Sequence, residues 1–249
     1  MIPNKIHYCW FGKGTMPPSH LKYIRDWERI MPEFEIKRWD ESNFDVSTNS
    51  YVKNAYEQGK FAFVSDYARL KALYEEGGFY LDTDVELFKP LNEFCKYNLV
   101  SGIEYFKAFE KYKDVLDDNF LPKQKGATVP YMGFLSAIIG AKPGNELISD
   151  MIEFYDGITP NDEEFKGVII DGVMANKAIK YGFIYKDVEQ NLQNNMVMIP
   201  SKLFCSSGRS VTKESYLQHH CAQSWQPKKE KLKFESFFNK LLLIKKINN

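Results

Sequence analysis

Residues 61–90 read FAFVSDYARLKALYEEGGFYLDTDVELFKP, and this order of parts leaves the chain few ways to fold. Tyr67, Leu70, Ala72, Leu73 and Tyr74 recur at helical spacing, so residues 65–76 are predicted to form a helix. Gly77-Gly78 stops it, because glycine enters the left-handed conformation of a helix C-cap without steric penalty. Residues 79–81 then make a brief apolar strand whose carboxyl end carries Asp82 and Asp84. A helix reversing into a buried strand that ends in acid is a unit of an α/β sheet.

The flanking segments extend that unit. Residues 5–11 have the character of a buried first strand, followed by a loop at Gly12-Lys13-Gly14 and Pro17-Pro18. Ser19 is placed to cap a helix running to Ile30, residues 35–39 alternate as a second strand, and residues 51–58 suggest a short helix. This β-α-β-α order predicts a Rossmann-like, mostly parallel sheet flanked by helices in a single α/β domain, with ligands bound off the carboxyl ends of the strands. Further strands are expected at 99–104 and 131–140, a charged loop at 107–125, and helices at 145–155 and 172–181. There is no internal repeat or low-complexity tract.

Length and charge narrow the function. A chain of 249 residues can bury a full core in one domain. With 33 basic and 33 acidic residues it has no global field to draw it onto nucleic acid. Aromatic residues make up 15% of the chain, suited both to packing and to stacking on sugars or bases. Cys9, Cys95, Cys205 and Cys221 lack C-x-x-C pairing, which argues against a zinc ribbon and for a reducing compartment. No basic-then-apolar leader precedes residue 5 and no span approaches the roughly 20 apolar residues of a membrane crossing. A cytoplasmic location is therefore expected. Residues 226–249 hold seven Lys and two Glu, with Phe234, Phe237, Phe238, Leu241 and Leu242 at helical spacing. They read as a basic amphipathic helix beyond a 1–225 domain, either packed on it or resting on the inner face of the cytoplasmic membrane.

The chemistry-bearing residues fall in three places. Asp82 and Asp84 are one residue apart at a strand end, so both carboxylates can point to one side and offer hard oxygen ligands to Mg²⁺ or Mn²⁺. Asp66 and Arg69 lie at i and i+3, about 5–6 Å apart at Cβ, as a surface ion pair or as a sugar- and phosphate-facing pair in the same cleft. His219-His220-Cys221-Ala222-Gln223-Ser224-Trp225 offers an imidazole to a metal begun by Asp84, and hydroxyl and indole donors to a diphosphate; a packed histidine pair is the alternative. Asp171 is a weaker candidate, able to reach sugar or acceptor, although its place after an apolar strand and before a helix favours a helix N-cap.

The IHYCWFG opening, the SDYARLKALYEEGGFYLDTD block and the HHCAQSW stretch together resemble glycosyltransferase family 32. These are DXD-containing sugar transferases that include capsular polysaccharide enzymes and yeast mannosyltransferases. The catalytic domains of the large clostridial glucosylating toxins look like distant relatives. The resemblance implies a GT-A fold and retaining transfer from a nucleotide-sugar, commonly a UDP-sugar, with Mn²⁺ or Mg²⁺. By that likeness Trp10 stacks on the nucleobase beside Tyr8, while Asn43, Ser65 and Tyr80 hold ribose, sugar or phosphate. Asp66 and Arg69 grip the transferred sugar, and Asp82 touches ribose and sugar. Asp84 binds the metal together with Asp82, His220 is its further ligand with His219 as the substitute, and Ser224 and Trp225 close over the diphosphate.

The expected partners are a nucleotide-sugar donor and a glycan or lipid-linked saccharide acceptor, in cell-surface polysaccharide synthesis. Two other classes predict different behaviour. A glycoside hydrolase would work in EDTA through carboxylates about 5–10 Å apart, and a non-catalytic carbohydrate- or Ca²⁺-binding module would bind glycan without turnover.

Overall fold

In a computed structural model of the chain, residues 1–158, 169–206 and 210–222 are described. In chain order the strands are β1 (Lys5–Cys9), β2 (Glu35–Trp39), β3 (Gly78–Leu81), β4 (Val85–Leu87), β5 (Leu99–Tyr105), β6 (Met132–Ala141), β7 (Gln190–Leu192), β8 (Met196–Ile199), β9 (Phe204–Cys205) and β10 (Leu217–His219). The helices are α1 (Pro18–Ile30), α2 (Ser50–Glu57), α3 (Phe61–Glu76), α4 (Glu146–Asp156) and α5 (Ile170–Ala178).

Seven strands make one sheet in the order β2-β1-β3-β6-β5-β8-β7. The pairs β1–β2, β1–β3 and β5–β8 are parallel, and β6 runs antiparallel to both β3 and β5. Five strands therefore share a direction, and β6 and β7 oppose them. The chain steps outward from β1 to β2 and then returns across β1 to β3, so a topological switch lies between β1 and β3. A crevice opens at the carboxyl ends of strands at such a point.

The central strands β3, β5, β6 and β8 are buried on both faces, which explains why they are mostly apolar runs rather than alternating ones. On β3, Tyr80 joins the core formed with α2, α3, α4 and α5, while Phe79 and Leu81 join the core beneath α1. A second sheet of order β4-β10-β9 packs in the α1 layer, where Trp27, fully buried, donates its indole N–H to the Val85 carbonyl at 2.9 Å.

Helix α3 buries residues around most of its circumference, including Asp66 and Arg69, because it is clasped between β1, β3 and the helices α2 and α4. It starts at Phe61, a turn earlier than its spacing suggests, and its cap N–H at Gly77 bonds to the Leu73 carbonyl. Gly77 and Gly78 have φ of 65° and 103°, and a Cβ on Gly78 would lie 2.8 Å from the Lys5 carbonyl oxygen. Only glycine lets β3 leave the helix and lie this close to β1.

Two local expectations are corrected. Ser19 does not cap α1, whose N-cap is Pro17 with no side-chain bond, because Pro18 supplies the preset φ of a first helical residue. Residues 107–125 contain two short 3₁₀ turns, Lys107–Lys111 and Lys113–Val115, and a bridge from Leu116 to Pro122. Strands β4, β7, β9 and β10 are two or three residues long, too short for any period to show in sequence. Ser224, Trp225 and the 226–249 helix lie outside the described residues. Among the described residues no helix is long and apolar enough to cross a membrane.

Candidate active site

The switch point holds the D-x-D. Asp82 follows β3 directly and donates its N–H to the Ala137 carbonyl of β6 at 2.9 Å. Its Oδ1 accepts the Tyr80 hydroxyl at 2.7 Å and lies 3.4 Å from Arg69 Nη2. The other oxygen lies 3.9 Å from His219 Nε2. Asp84 repeats the arrangement: Oδ2 accepts the Ala222 N–H at 2.7 Å, and Oδ1 lies 3.4 Å from the same His219 nitrogen. Each aspartate is thus anchored by one oxygen and turns the other toward one imidazole.

The donor oxygens of Asp82 and Asp84 and a His219 ring nitrogen lie within 4.8 Å of one another. Two hard carboxylates and an imidazole suit Mn²⁺ or Mg²⁺, with coordination positions left for water or phosphate oxygens. The charge balance agrees. Asp66, Asp82, Asp84, Glu104 and Asp171 interact electrostatically in this region, against the cations Arg69 and His219. Burial pushes the pKa of Asp66, Glu104 and Asp171 up, with neighbouring acids adding to the rise at Asp66 and Glu104, and a divalent cation would favour their charged forms.

His219, rather than His220, therefore stands with the aspartates. Strand β10 pairs antiparallel with β4 so that His219 lies opposite Val85, and the His220 N–H reaches the Asp84 carbonyl at 3.1 Å. Successive side chains on a strand face opposite ways, so this register decides which histidine meets Asp84. His220 turns to α1, stacking on Tyr23 at 5.1 Å between ring centroids with its Nε2 3.0 Å from Glu86. Burial disfavours the His219 cation, but the bonds to Asp84 and Cys221 outweigh it and hold its pKa well above the usual imidazole value. Burial likewise opposes ionisation of Asp84, yet His219 and the Ala222 N–H bring its pKa down to about 2.

Arg69 is 4% exposed and engages all three of its nitrogens. Nε donates to the Ser65 carbonyl at 3.3 Å, Nη1 to the Ser136 carbonyl at 2.9 Å, and Nη2 lies 2.9 Å from Asp66. Its guanidinium also sits over the Tyr80 ring at 4.5 Å. A group so enclosed has its donors spent on positioning Asp66, Asp82 and the Ser136 carbonyl. Burial raises the Asp66 pKa to about 7, with Arg69 opposing and Asp171 and Asp82 adding to the rise.

Ser136 is available to these partners because β6 is irregular. The β5–β6 register passes from Ser101 opposite Ile139 to Gly102 opposite Leu135, so the extra residues between them bulge out of the ladder. The freed Ser136 carbonyl accepts from Arg69, and the freed N–H donates to Asp171 at 2.9 Å. Asp171 is therefore not an N-cap: the cap position of α5 is Ile169, and Asp171 sits in the first turn with its carboxylate on the bulge. Bulges beside active sites commonly aim side chains in this way.

At the other side of the crevice, Trp10 follows β1, donates its indole N–H to the Gly14 carbonyl at 2.7 Å, and meets His20 edge-on at 6.0 Å. His20 Nδ1 lies 2.9 Å from Thr83 Oγ1, so Trp10 is linked through one buried imidazole to the middle of the D-x-D. Tyr8 packs edge-on against Trp27. Tyr80 is buried beneath Asp82 and Ser65 bonds back to the Phe61 carbonyl, so these two hold the scaffold. Asn43 is spent on its own loop, accepting from the Asp40 N–H and donating to the Arg38 carbonyl. His20, Glu104 and Ser136 escape the sequence reading. Glu104 alone left a signal there, ending a strand that runs in the direction of β3.

A mixed sheet with a D-x-D at its switch point is the GT-A architecture of sugar transferases. Residues 17–100 match the family model described as a glycosyltransferase sugar-binding region containing a DXD motif. The solved structure of PaToxG glycosyltransferase is similar at 16% identity with a TM-score of 0.50, over 72% of this chain and 69% of that one. Galactosyltransferase LgtC, solved with donor and acceptor sugar analogs, is similar at 13% identity with a TM-score of 0.46, over 95% of each chain. Comparison with curated proteins finds no match. The protein thus has the GT-A fold, with the match to the DXD-containing sugar-binding region confined to residues 17–100.

Proposed function

We propose that the protein is a metal-dependent, retaining glycosyltransferase. It moves a sugar from a UDP-sugar to a lipid-linked glycan in cell-surface polysaccharide synthesis, at the inner face of the cytoplasmic membrane. The observation that carries the transferase reading is the convergence of Asp82, Asp84 and His219 within 4.8 Å at the sheet's switch point. Mn²⁺ or Mg²⁺ held there would offset the charge that develops on the departing diphosphate.

The chain's own residues do the rest. Trp10, half-exposed at the end of β1, offers a face for the uracil, and the His20–Thr83 contact fixes its distance from the aspartates. Arg69 and Tyr80 lock Asp82 in one orientation, so little reorganisation is needed when charge moves. Asp66, paired with Arg69, and Asp171, held on the Ser136 N–H, serve as acceptors for sugar hydroxyls. Ser224 and Trp225 remain proposed donors to the diphosphate. Holding acceptor hydroxyl, anomeric carbon and leaving oxygen together lets the acceptor attack from the leaving-group side without a dedicated nucleophile.

A panel of UDP-sugars in Mn²⁺ buffer, read by UDP release, tests the reading. Turnover with at least one sugar, lost in EDTA and in Asp84→Ala, is expected. Full activity in EDTA, or no effect of Asp84→Ala, would sink the metal-dependent reading, and the absence of UDP release from every sugar of the panel would sink the transferase reading.

A further inference from the structure

Behind the D-x-D, His219 is shared with a second set of donors, two of which, Glu104 and Cys221, the proposed transfer does not use. Glu104 on β5, His219 on β10 and Cys221 just beyond it place a carboxylate oxygen, a ring nitrogen and a sulfur within 4.8 Å of one another. Cys221 Sγ is 3.3 Å from His219 Nδ1. Ligands of one tetrahedral ion with bonds of about 2.0–2.3 Å stand roughly 3.3–3.6 Å apart, so this separation already fits a shared metal. Cys221 has φ of 48°, a left-handed turn that folds its thiol back onto the histidine two residues earlier.

His219 faces two chemistries with its two nitrogens. Nε2 looks to Asp84 at 3.4 Å and Nδ1 to the thiol. A histidine that ligates a metal through one nitrogen characteristically donates its other N–H to a carboxylate, and Asp84 occupies that position. Sulfur and imidazole together with one carboxylate select a borderline-soft ion over Mg²⁺ or Mn²⁺.

We infer that Glu104, His219 Nδ1 and Cys221 form a site for a thiophilic divalent cation of the zinc class, with Asp84 the acceptor behind the imidazole. Binding expels the thiol proton and the Nδ1 proton of the His219 cation to solvent, needs Glu104 as the carboxylate, and leaves a fourth position open. An imidazole bound through Nδ1 keeps its proton on Nε2 and is no longer a ligand for an ion on Asp82 and Asp84. The two ions therefore compete for His219, a consequence that rests on the donor-metal reading above.

Co²⁺ is the probe, because a cobalt–thiolate bond gives a near-ultraviolet charge-transfer band that oxygen and nitrogen ligands do not. Titrated into the full chain with a thiol-free reductant, Co²⁺ is expected to develop this band to saturation at one equivalent, and Zn²⁺ to abolish it. Cys95→Ser and Asp84→Asn keep the band, Cys221→Ser loses it, and Glu104→Gln keeps it with affinity weakened about tenfold or more. Absence of the band in the unmodified chain, its survival in Cys221→Ser, or its loss in a normally melting Asp84→Asn overturns the site. If Cys221→Ser melts abnormally, Cys221→Ala is read by the same criterion. Competition is read separately by electron paramagnetic resonance: one equivalent of Zn²⁺ is expected to release bound Mn²⁺ as the free ion. Simultaneous binding overturns the competition, whereas failure of Mn²⁺ to bind at all counts against the donor-metal reading and leaves the cobalt result standing.

Discussion

His219 Nε2 lies 3.4 Å from Asp84 Oδ1, a contact made between residues 135 positions apart by the three-residue pairing of β10 with β4. The adjacent His220 makes an equally definite contact elsewhere, at 3.0 Å from Glu86. Two chemically identical side chains thus have different partners, assigned by strand register. His219→Ala is expected to weaken Mn²⁺ affinity by about tenfold or more, and His220→Ala by no more than about threefold. Calorimetric Mn²⁺ titration of both variants decides this, and the opposite order would return the metal role to His220.

Arg69 is the buried cation on which the site's carboxylates are organised. Removing it leaves Asp66 and Asp82 without their partner and strips the Ser136 carbonyl of its donor. Breaking one side of a buried pair costs about 3–5 kcal/mol. For a chain of this size, that corresponds to a fall in Tm on the order of 10 °C. Thermal unfolding of Arg69→Met should show it, with Arg29→Met, whose side chain is 72% exposed, as a near-neutral control.

Glu76 ties the end of α3 to the neighbouring strands β1 and β2, with Lys5 Nζ at 2.8 Å and Lys37 Nζ at 2.5 Å. Burial disfavours its charge, but the two lysine bonds outweigh that and carry its pKa from 4.5 to about 2. A carboxyl lowered on folding stabilises fully above its unfolded pKa and loses that contribution as pH falls through the folded one. The Glu76 contribution is therefore complete above about pH 4.5 and disappears toward pH 2. Glu76→Gln should flatten the pH dependence of denaturant midpoints across this window and change little of its slope above pH 5.

Gly78 is held at a φ of 103° with no room for a side chain against Lys5. Gly78→Ala is expected to lose about 1–3 kcal/mol from conformation alone, with the 2.8 Å contact to the Lys5 carbonyl adding to it. Gly14→Ala, where a Cβ meets nothing within 4 Å, should be neutral. Denaturant unfolding of the pair separates the two cases.

Local patterning determined what is local. The helical spacing of residues 65–76, the Gly-Gly stop and the short strand before Asp82 appear in the sequence because helix period, C-cap and strand end are each set by neighbours within a few residues. The β-α-β-α order that places the D-x-D at a carboxyl strand edge follows from the same signals. The resemblance of the central block to DXD sugar transferases survived because it rests on those contiguous residues.

Tertiary structure decided everything that joins distant parts. The register of β10 on β4 turned His219 rather than His220 toward Asp84, since a pairing of residue 219 with residue 85 leaves no period to read. The bulge in β6 gave Ser136 to Arg69 and Asp171, an irregularity that a uniformly apolar run conceals. Glu104 and Cys221 met at His219 only because two sheets converge there. A carboxylate's role depends on which charges surround it, and those surroundings exist only once the chain has folded.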